Sequence, residues 1–317
     1  MRPALARLLP AALAVGAVPL HAQVRDSAAS DTVARAGAAA AAPACDDHAN
    51  WNTPQRPFRV YGNTYYVGTR CLSAVLVTSA AGHVLIDAGL PTSAPLVLAN
   101  VRALGFRVTD VKLLLNSHAH FDHAGGLAAV QRASGARVAA RAPSAGVLRA
   151  GASGPDDPQY GGLSDFPPVR AVRVVADGGT VRVGPLALTA HATPGHTPGG
   201  TTWSWVSCER ASGDRRCLGM VYADSQTPVA AAGFSFAHSR TYPAALDDFA
   251  RGQAALEGLR CDVLLTPHPE ASGLWARVAA RDAGRAAALV DAGACRRYAA
   301  AARERVARRV AEESAAR

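Results

Sequence analysis

Residues 118–126 read HAHFDHAGG, and this stretch decides how the chain is interpreted. Three histidines and an aspartate lie within six positions, directly after the apolar run VKLLLNS, which predicts a β-strand. Because side chains alternate along a strand, His118 and His120 should point to the same side, whereas Asp122 and His123 follow its end and can face a second ion. Imidazole nitrogen and carboxylate oxygen are ligands that zinc favours, so the stretch predicts a metal site with room for water.

Two further histidines follow strand-like segments elsewhere. His196 lies in TPGHTPGG, where prolines and glycines stiffen the turn, and His268 lies in TPHPEASGLW after an apolar strand. Because sites in open α/β sheets gather at strand ends, one shared site explains these positions best. His191 is interpreted as an ordinary strand histidine facing solvent or core rather than a further ligand, and no partner is predicted for His238.

Strand-like and helix-like segments are interleaved along the chain, which predicts an α/β fold with a sheet core covered by helices. Strands are predicted at residues 58–68, 72–79, 82–89, 111–118, 137–141, 180–193, 200–208, 219–225 and 261–268. Helices are predicted at residues 93–106, 125–136, 144–152, 242–259 and through most of 275–315. Residues 151–168, rich in Gly, Pro and Asp, are predicted to form a loop.

The N-terminus resembles an export signal. Two arginines precede LLPAALAVGAVPL, an apolar stretch too short for a membrane span, and the chain then becomes polar. We expect cleavage after Ala22, a flexible leader over residues 23–44 and a single domain over residues 45–317. The alternative to a signal peptide is a buried N-terminal helix. No later run is long enough to span a bilayer, so the mature protein should be periplasmic.

Charge and cysteine content limit the classes of protein to which the chain can belong. The net charge is +9, but no basic stripe carries interleaved aromatic residues, so the arginine-rich C-terminal segment is interpreted as a solvated helix face, not a nucleic-acid surface. All six cysteines follow the predicted signal, which in an oxidising compartment indicates disulfides. Cys208–Cys217 is predicted as a local link across ERASGDRR. The expected oligomeric state is a monomer.

Four motifs in this order, HAHFDH, TPGHTPGG, YADS and TPHP, resemble the metallo-β-lactamase superfamily. The serine after YAD, the PHP followed by GLW and the segment WNTPQRPFRVYGNTYYVG resemble class B β-lactamases of the third subclass. The resemblance covers roughly residues 45–300. It implies an αββα sandwich, in which helices flank two β-sheets, and two zinc ions that activate water to open the β-lactam amide of penicillins, cephalosporins and carbapenems, conferring antibiotic resistance.

The resemblance also assigns roles to individual residues. It implies that the first zinc is held by His118, His120 and His196. It implies that the second is held by Asp122, His123 and His268. Asp122 would also orient the attacking water, and the resemblance implies that the substrate carboxylate is bound by Ser225 and Thr227. The disulfides of the family imply the bridges Cys261–Cys295 and Cys45–Cys71. In the second bridge, Cys71 lies one position later than the family's cysteine, because Arg70 occupies the place directly after YVGT.

Other residues are candidates for orienting the ligands or lining the groove, and each has an ordinary structural role as its alternative. Asp87 and Asp224 could hydrogen-bond ligand histidines, or serve as residues of strand-end turns. The groove could be walled by Trp51, Gln159, Tyr160 and Phe166, or these could pack elsewhere.

Two competing functions stay open. A thioesterase of the glyoxalase II type, or a lactonase, shares the fold but uses an aspartate that bridges both zincs, and Asp224 is adjacent to that position. A non-catalytic zinc protein would be expected to close its coordination sphere, which this ligand set leaves open.

Overall fold

The computed structural model describes residues 45–46, 48–211 and 214–316. The predicted signal peptide (1–22) and leader (23–44) lie outside the described residues. Within the described part of the chain, no helix is long and apolar enough to cross a membrane.

Two β-sheets form the centre of the fold, as the interleaved pattern predicts. The first contains β1 (Phe58–Tyr61), β2 (Thr64–Tyr66), β3 (Val75–Val77), β4 (His83–Ile86), β5 (Val111–Leu115), β6 (Arg137–Ala140) and β7 (Val172–Val174), in chain order. The second contains β8 (Thr180–Val183), β9 (Leu186–Ala192), β10 (Thr201–Ala211), β11 (Asp214–Tyr222) and β12 (Val263–Leu265), in the order β12-β11-β10-β9-β8. Strands β4 to β7 are parallel, and β12 is parallel to β11.

Helices pack around both sheets. They are α1 (Ala94–Ala103), α2 (Phe121–Ala124), α3 (Leu127–Ser134), α4 (Ala142–Ala150), α5 (Ala245–Gly258), α6 (Leu274–Asp282) and α7 (Ala294–Ala315). Val97 of α1 and Leu148 of α4 share a buried cluster with the first sheet. Leu256 of α5 and Tyr298 of α7 share another with the second sheet. The predicted α/β class and αββα layering are therefore confirmed.

The core between the sheets follows strand alternation. Leu113 and Leu115 of β5 pack between the sheets, whereas Leu114 packs beneath the helices, so this strand is buried on both faces. Trp203 is fully buried among the inter-sheet residues, and its Nε1 donates to the carbonyl of Asn116 at 3.0 Å. That hydrogen bond joins the second sheet to the end of β5, immediately before the histidine motif.

All three predicted disulfides are present. Cys208 faces Cys217 across the β10–β11 hairpin, and Cys261–Cys295 ties the segment before β12 to α7. Cys45–Cys71 also forms despite the shifted register. Strand alternation does not constrain Cys71, because β2 ends at Tyr66 and the cysteine lies in the following turn.

The structure departs from the predicted elements in several places: the stretch 180–193 divides into β8 and β9, β11 begins before the predicted 219, and α2 precedes the helix predicted at 125–136. The short strand β7 follows the predicted 151–168 loop and was not expected; three residues give too little pattern to recognise. The helix predicted through most of residues 275–315 is confirmed as two helices, because α6 ends at Asp282 and α7 begins at Ala294. Gly284, with φ 97°, adopts a left-handed conformation that suits the break.

Candidate metal centre

A buried aspartate fixes the point at which β5 leads into the histidine motif. Asp87 accepts hydrogen bonds from the Ser117 amide at 2.8 Å and from Ser117 Oγ at 2.6 Å. The hydroxyl of Tyr222, on the second sheet, donates to the same carboxylate at 2.9 Å. Asp87 thus contacts the residue before His118 and not a ligand histidine, which corrects the role considered for it. Its own φ of 58° is left-handed, so the site holds a strained backbone at this turn.

Three predicted ligands form one cluster. A ligand atom from each of His118, His120 and His196 lies within 4.8 Å of the other two, and all three residues are buried. The ring centroid of His118 lies 4.6 Å from that of His120 and 4.8 Å from that of His196. Two of these histidines follow β5 and the third lies between β9 and β10, so both sheets contribute to the cluster.

The other three predicted ligands converge beside it. Asp122 Oδ2 lies 3.0 Å from His123 Nε2 and 3.2 Å from His268 Nε2. The rings of His118 and His123 are 4.4 Å apart, centroid to centroid, so the two ligand groups adjoin. The six candidate ligands therefore form one continuous set of donor groups.

Each histidine of the first cluster has a polar partner on its outer nitrogen. His118 Nδ1 lies 2.7 Å from Asp224 Oδ1, and His120 Nε2 lies 2.9 Å from Asp157 Oδ2. His196 Nδ1 donates to a backbone carbonyl, that of Thr227, at 2.8 Å. These contacts leave the inner nitrogens free to bind a metal, and His118 Nε2 is buried without a hydrogen-bond partner.

Asp157 is the residue that sequence reasoning missed. It lies in the predicted 151–168 loop, where its other carboxylate oxygen also accepts a hydrogen bond from the Gln159 amide at 2.8 Å. The only available signal was an aspartate in a loop rich in glycine and proline, which occurs in many turns.

Burial and the neighbouring groups favour the protonation states that bind metal. Burial, with repulsion from adjacent imidazoles, lowers the pKa of His118 well below its ordinary value and that of His196 to about 3. Burial alone would raise the pKa of Asp122, but the imidazoles of His123 and His268 hold it well below the usual range. Neutral imidazoles and an ionised carboxylate are the forms that metals require.

A groove of about 360 Å³ opens over the two ligand groups. Trp51 and Gln159 line it, as considered from the sequence, and so do the predicted substrate-binding residues Ser225 and Thr227. Phe166 instead lies in the core beneath the first sheet. The side chain of Tyr160 is 52% exposed and is absent from the residues that line the groove.

The remaining candidates lie outside the ligand groups. Asp224 is fully buried behind His118, while Ser225, the next residue, lines the groove. His191 is paired through Nε2 with Ser204 Oγ at 2.7 Å, as expected of a strand histidine, and His238 is exposed.

Comparisons with known proteins place this geometry in a family. Residues 71–207 match the model of the metallo-β-lactamase superfamily. The structure superposes on Rm3 metallo-β-lactamase with a TM-score of 0.82 and 56% sequence identity, over 86% of this chain and 100% of that one. This chain belongs to the metallo-β-lactamase superfamily.

A second solved structure is similar to this chain and belongs to a named subclass. MEM-A1, a subclass B3 metallo-β-lactamase isolated from a soil metagenome library, is 49% identical to this chain. The match covers 84% of this chain and 100% of that one, with a TM-score of 0.81. The predicted resemblance to the third subclass of this superfamily is therefore confirmed.

A curated relative is more distant. The hydroxyacylglutathione hydrolase of Anaeromyxobacter dehalogenans is 34% identical over 130 residues, which are 41% of this chain and 40% of that protein. The match thus spans less than half of the relative's length. The matches to the two metallo-β-lactamases span more of this chain, 86% and 84%.

Proposed function

We propose that this chain is a zinc-dependent β-lactamase of subclass B3 that opens the β-lactam amide of penicillins, cephalosporins and carbapenems. The observation that carries the proposal is the six-residue centre beneath an open groove, in a chain whose full-length solved relatives are metallo-β-lactamases. Hydrolysis of these drugs would confer antibiotic resistance.

The donor atoms fit two zinc ions. The first would be held by His118 Nε2, His120 Nδ1 and His196 Nε2. The second would be held by Asp122 Oδ2, His123 Nε2 and His268 Nε2. Three protein ligands at each ion leave a coordination position open, which is typical of catalytic rather than structural zinc. When bound, zinc would supply an activated water and a Lewis acid for the lactam carbonyl.

The residues of the chain itself hold the ligands and bind the substrate. Asp224 and Asp157 fix the orientation of His118 and His120 through their outer nitrogens. Burial raises the pKa of Asp224, and the positive charge of a metal on the adjacent imidazole would favour its ionised form. Asp122, at the meeting point of the two groups, is placed to orient the attacking water.

The groove supplies the contacts to the substrate. Ser225 and Thr227 bring hydroxyl groups to its lining, where they can donate hydrogen bonds to the carboxylate shared by these antibiotics. Trp51 and Val229 add apolar side chains to the lining of the groove. Ser225 acts in binding and not as a nucleophile, because neither SxxK nor GxSxG surrounds it.

The proposal extends to location and assembly. Three disulfides accord with an oxidising compartment, and we propose that the chain is exported to the periplasm after cleavage near Ala22. Residues 45–317 would form a single domain acting as a monomer.

A thioesterase is the second candidate, and the curated hydroxyacylglutathione hydrolase is the observation in its favour. The groove argues against it. Such enzymes bridge their two metals with an aspartate, whereas Ser225 lines the groove and Asp224 is directed at the outer side of His118. A lactonase would meet the same objection, and a non-catalytic zinc protein has no use for an open groove.

The deciding experiment is hydrolysis of a carbapenem and a cephalosporin by the purified mature protein, before chelation, after it, and with zinc restored. We expect activity to be lost on chelation and recovered with zinc. His196→Ala should abolish turnover, while His191→Ala, a strand histidine outside the centre, should retain it. Protein that binds zinc and cleaves thioesters or lactones but no β-lactam would contradict the proposal.

A further inference from the structure

A carboxylate near the end of α7 holds a loop that reaches the groove. The segment of residues 227–238, here called the wall loop, contains no helix or strand. Glu313 accepts hydrogen bonds from Ser235 Oγ at 2.8 Å and from the Phe236 amide at 3.1 Å. The Ala237 amide donates to the same carboxylate at 3.2 Å. Three consecutive residues of the wall loop are therefore bound by one side chain.

Glu313 is itself held in place. Arg309, one turn earlier on α7, donates from Nε to the carboxylate at 2.7 Å. The guanidinium of Arg309 also lies 5.5 Å from the centroid of the Phe236 ring. The Glu313 side chain is only 11% exposed; burial raises its pKa, but its hydrogen-bond donors hold the pKa below the ordinary value. The carboxylate is thus ionised and fully engaged with the loop.

The other end of the wall loop forms part of the groove. Thr227 and Val229 line it, and the carbonyl of Thr227 accepts the hydrogen bond from His196. Ala231 donates from its amide to the carbonyl of Pro158 at 2.9 Å, which joins the wall loop to the loop of residues 151–168, whose Gln159 also lines the groove. A shift of the wall loop would therefore move residues that line the groove.

The turn that carries His196 packs against Phe249 of α5, which lies outside the wall loop. The Phe236 ring lies 5.7 Å from that of Phe249 on α5. Phe249 packs directly against Gly195, where a Cβ would approach the ring to 2.4 Å. His196 therefore has support from α5, and loosening the wall loop should affect the groove more than the metal ligands.

We propose that Glu313 is a positioning residue for substrate binding, which fixes the wall loop so that Thr227 and Val229 present a preformed groove wall. This inference rests on the proposed β-lactamase function. Removing the carboxylate takes away the three hydrogen bonds to residues 235–237 and replaces none of the six metal ligands. The loss should appear in KM more than in kcat, because the reacting centre is unchanged while the wall must be ordered on binding.

The test compares Glu313→Ala and Glu313→Gln with Glu312→Ala, a control at the exposed neighbouring position on the same helix. For a cephalosporin with a bulky side chain, we expect KM to rise about tenfold in Glu313→Ala and less in Glu313→Gln, which keeps one acceptor oxygen. Turnover number and zinc content should stay within twofold of wild type. Amide hydrogen exchange should accelerate at residues 231–237 alone.

Two results would overturn the proposal. An unchanged KM in both Glu313 variants would show that the carboxylate does not shape the groove. Zinc loss in step with activity would show a general structural role. If wild type and Glu312→Ala cleave no β-lactam, the proposed function fails instead, and exchange at residues 235–237 still decides whether Glu313 holds the loop.

Discussion

At the scale of single residues, the centre depends on which nitrogen each imidazole presents. His118 and His120 are two positions apart, yet they offer different nitrogens because their outer partners differ. Asp224 binds Nδ1 of His118, whereas Asp157 binds Nε2 of His120. The carboxylates therefore select the tautomer and rotate each ring so that the free nitrogens converge.

Asp157→Ala should weaken zinc binding in the first site. Without its acceptor, His120 can rotate and change tautomer, and loss of such a partner typically lowers metal affinity or activity about 10- to 100-fold. Competition with a chromophoric chelator measures the zinc affinity directly. Asp156→Ala is the matched control, because Asp156 is adjacent in sequence but exposed. Equal zinc affinity in both variants would refute the role assigned to Asp157.

The residues that converge at the candidate centre could be predicted from the sequence, but their ring orientations could not. HAHFDH predicts its own cluster because strand alternation and metal chemistry act over a few residues. The partners of His118 and His120 are 106 and 37 residues away along the chain. Only the assembled fold brings Asp157 and Asp224 to those nitrogens, so no local pattern distinguishes them from other loop or strand-end aspartates.

At the scale of elements, the disulfides stabilise different parts of the fold. Cys208–Cys217 joins residues nine apart within a hairpin whose strands are already paired in register. Cys261–Cys295 closes 34 residues and fastens α7, the helix that carries Glu313, to the segment before β12. The second bridge restricts the unfolded chain more, since the entropy of loop closure grows with loop length.

Replacing Cys261 and Cys295 by alanine should therefore destabilise the protein more than replacing Cys208 and Cys217. Loop-closure entropy gives about 4 kcal/mol for the longer loop and about 3 kcal/mol for the shorter. Urea unfolding of each double variant, with the other bridges intact, measures the two free energies. A larger loss from the hairpin pair would show that the hairpin depends on its bridge and that α7 is held chiefly by packing.

Elements were predictable where a pattern extends over enough residues. The helix expected at residues 93–106 is present as Ala94–Ala103, and the strand expected at residues 111–118 is present as Val111–Leu115. Phe166 was considered for the groove because it lies in a polar loop. It is buried because the end of that loop returns to α4, where the Phe166 amide donates to the carbonyl of Gly151. Tertiary packing of this kind leaves no periodic signal.

At the scale of the whole molecule, the metal centre connects the two sheets. His118 to His123 follow β5 of the first sheet, whereas His196 and His268 follow β9 and β12 of the second. Either ion would therefore bind ligands from both sheets. Ligands that bind only the native state stabilise it, by about 2.7 kcal/mol per site at a free concentration 100 times the dissociation constant.

Zinc should consequently raise the thermal midpoint of unfolding in two separable increments. His268→Ala removes a ligand of the second site alone, so this variant should retain the increment due to the first ion and lose the other. Calorimetry of metal-free protein titrated with zinc, for wild type and variant, measures both. Complete loss of the zinc-dependent rise in the midpoint in His268→Ala would contradict the prediction that each ion stabilises the protein independently. It would indicate that the second site must be filled before the first. Full retention would indicate that the first three histidines alone hold the sheets together.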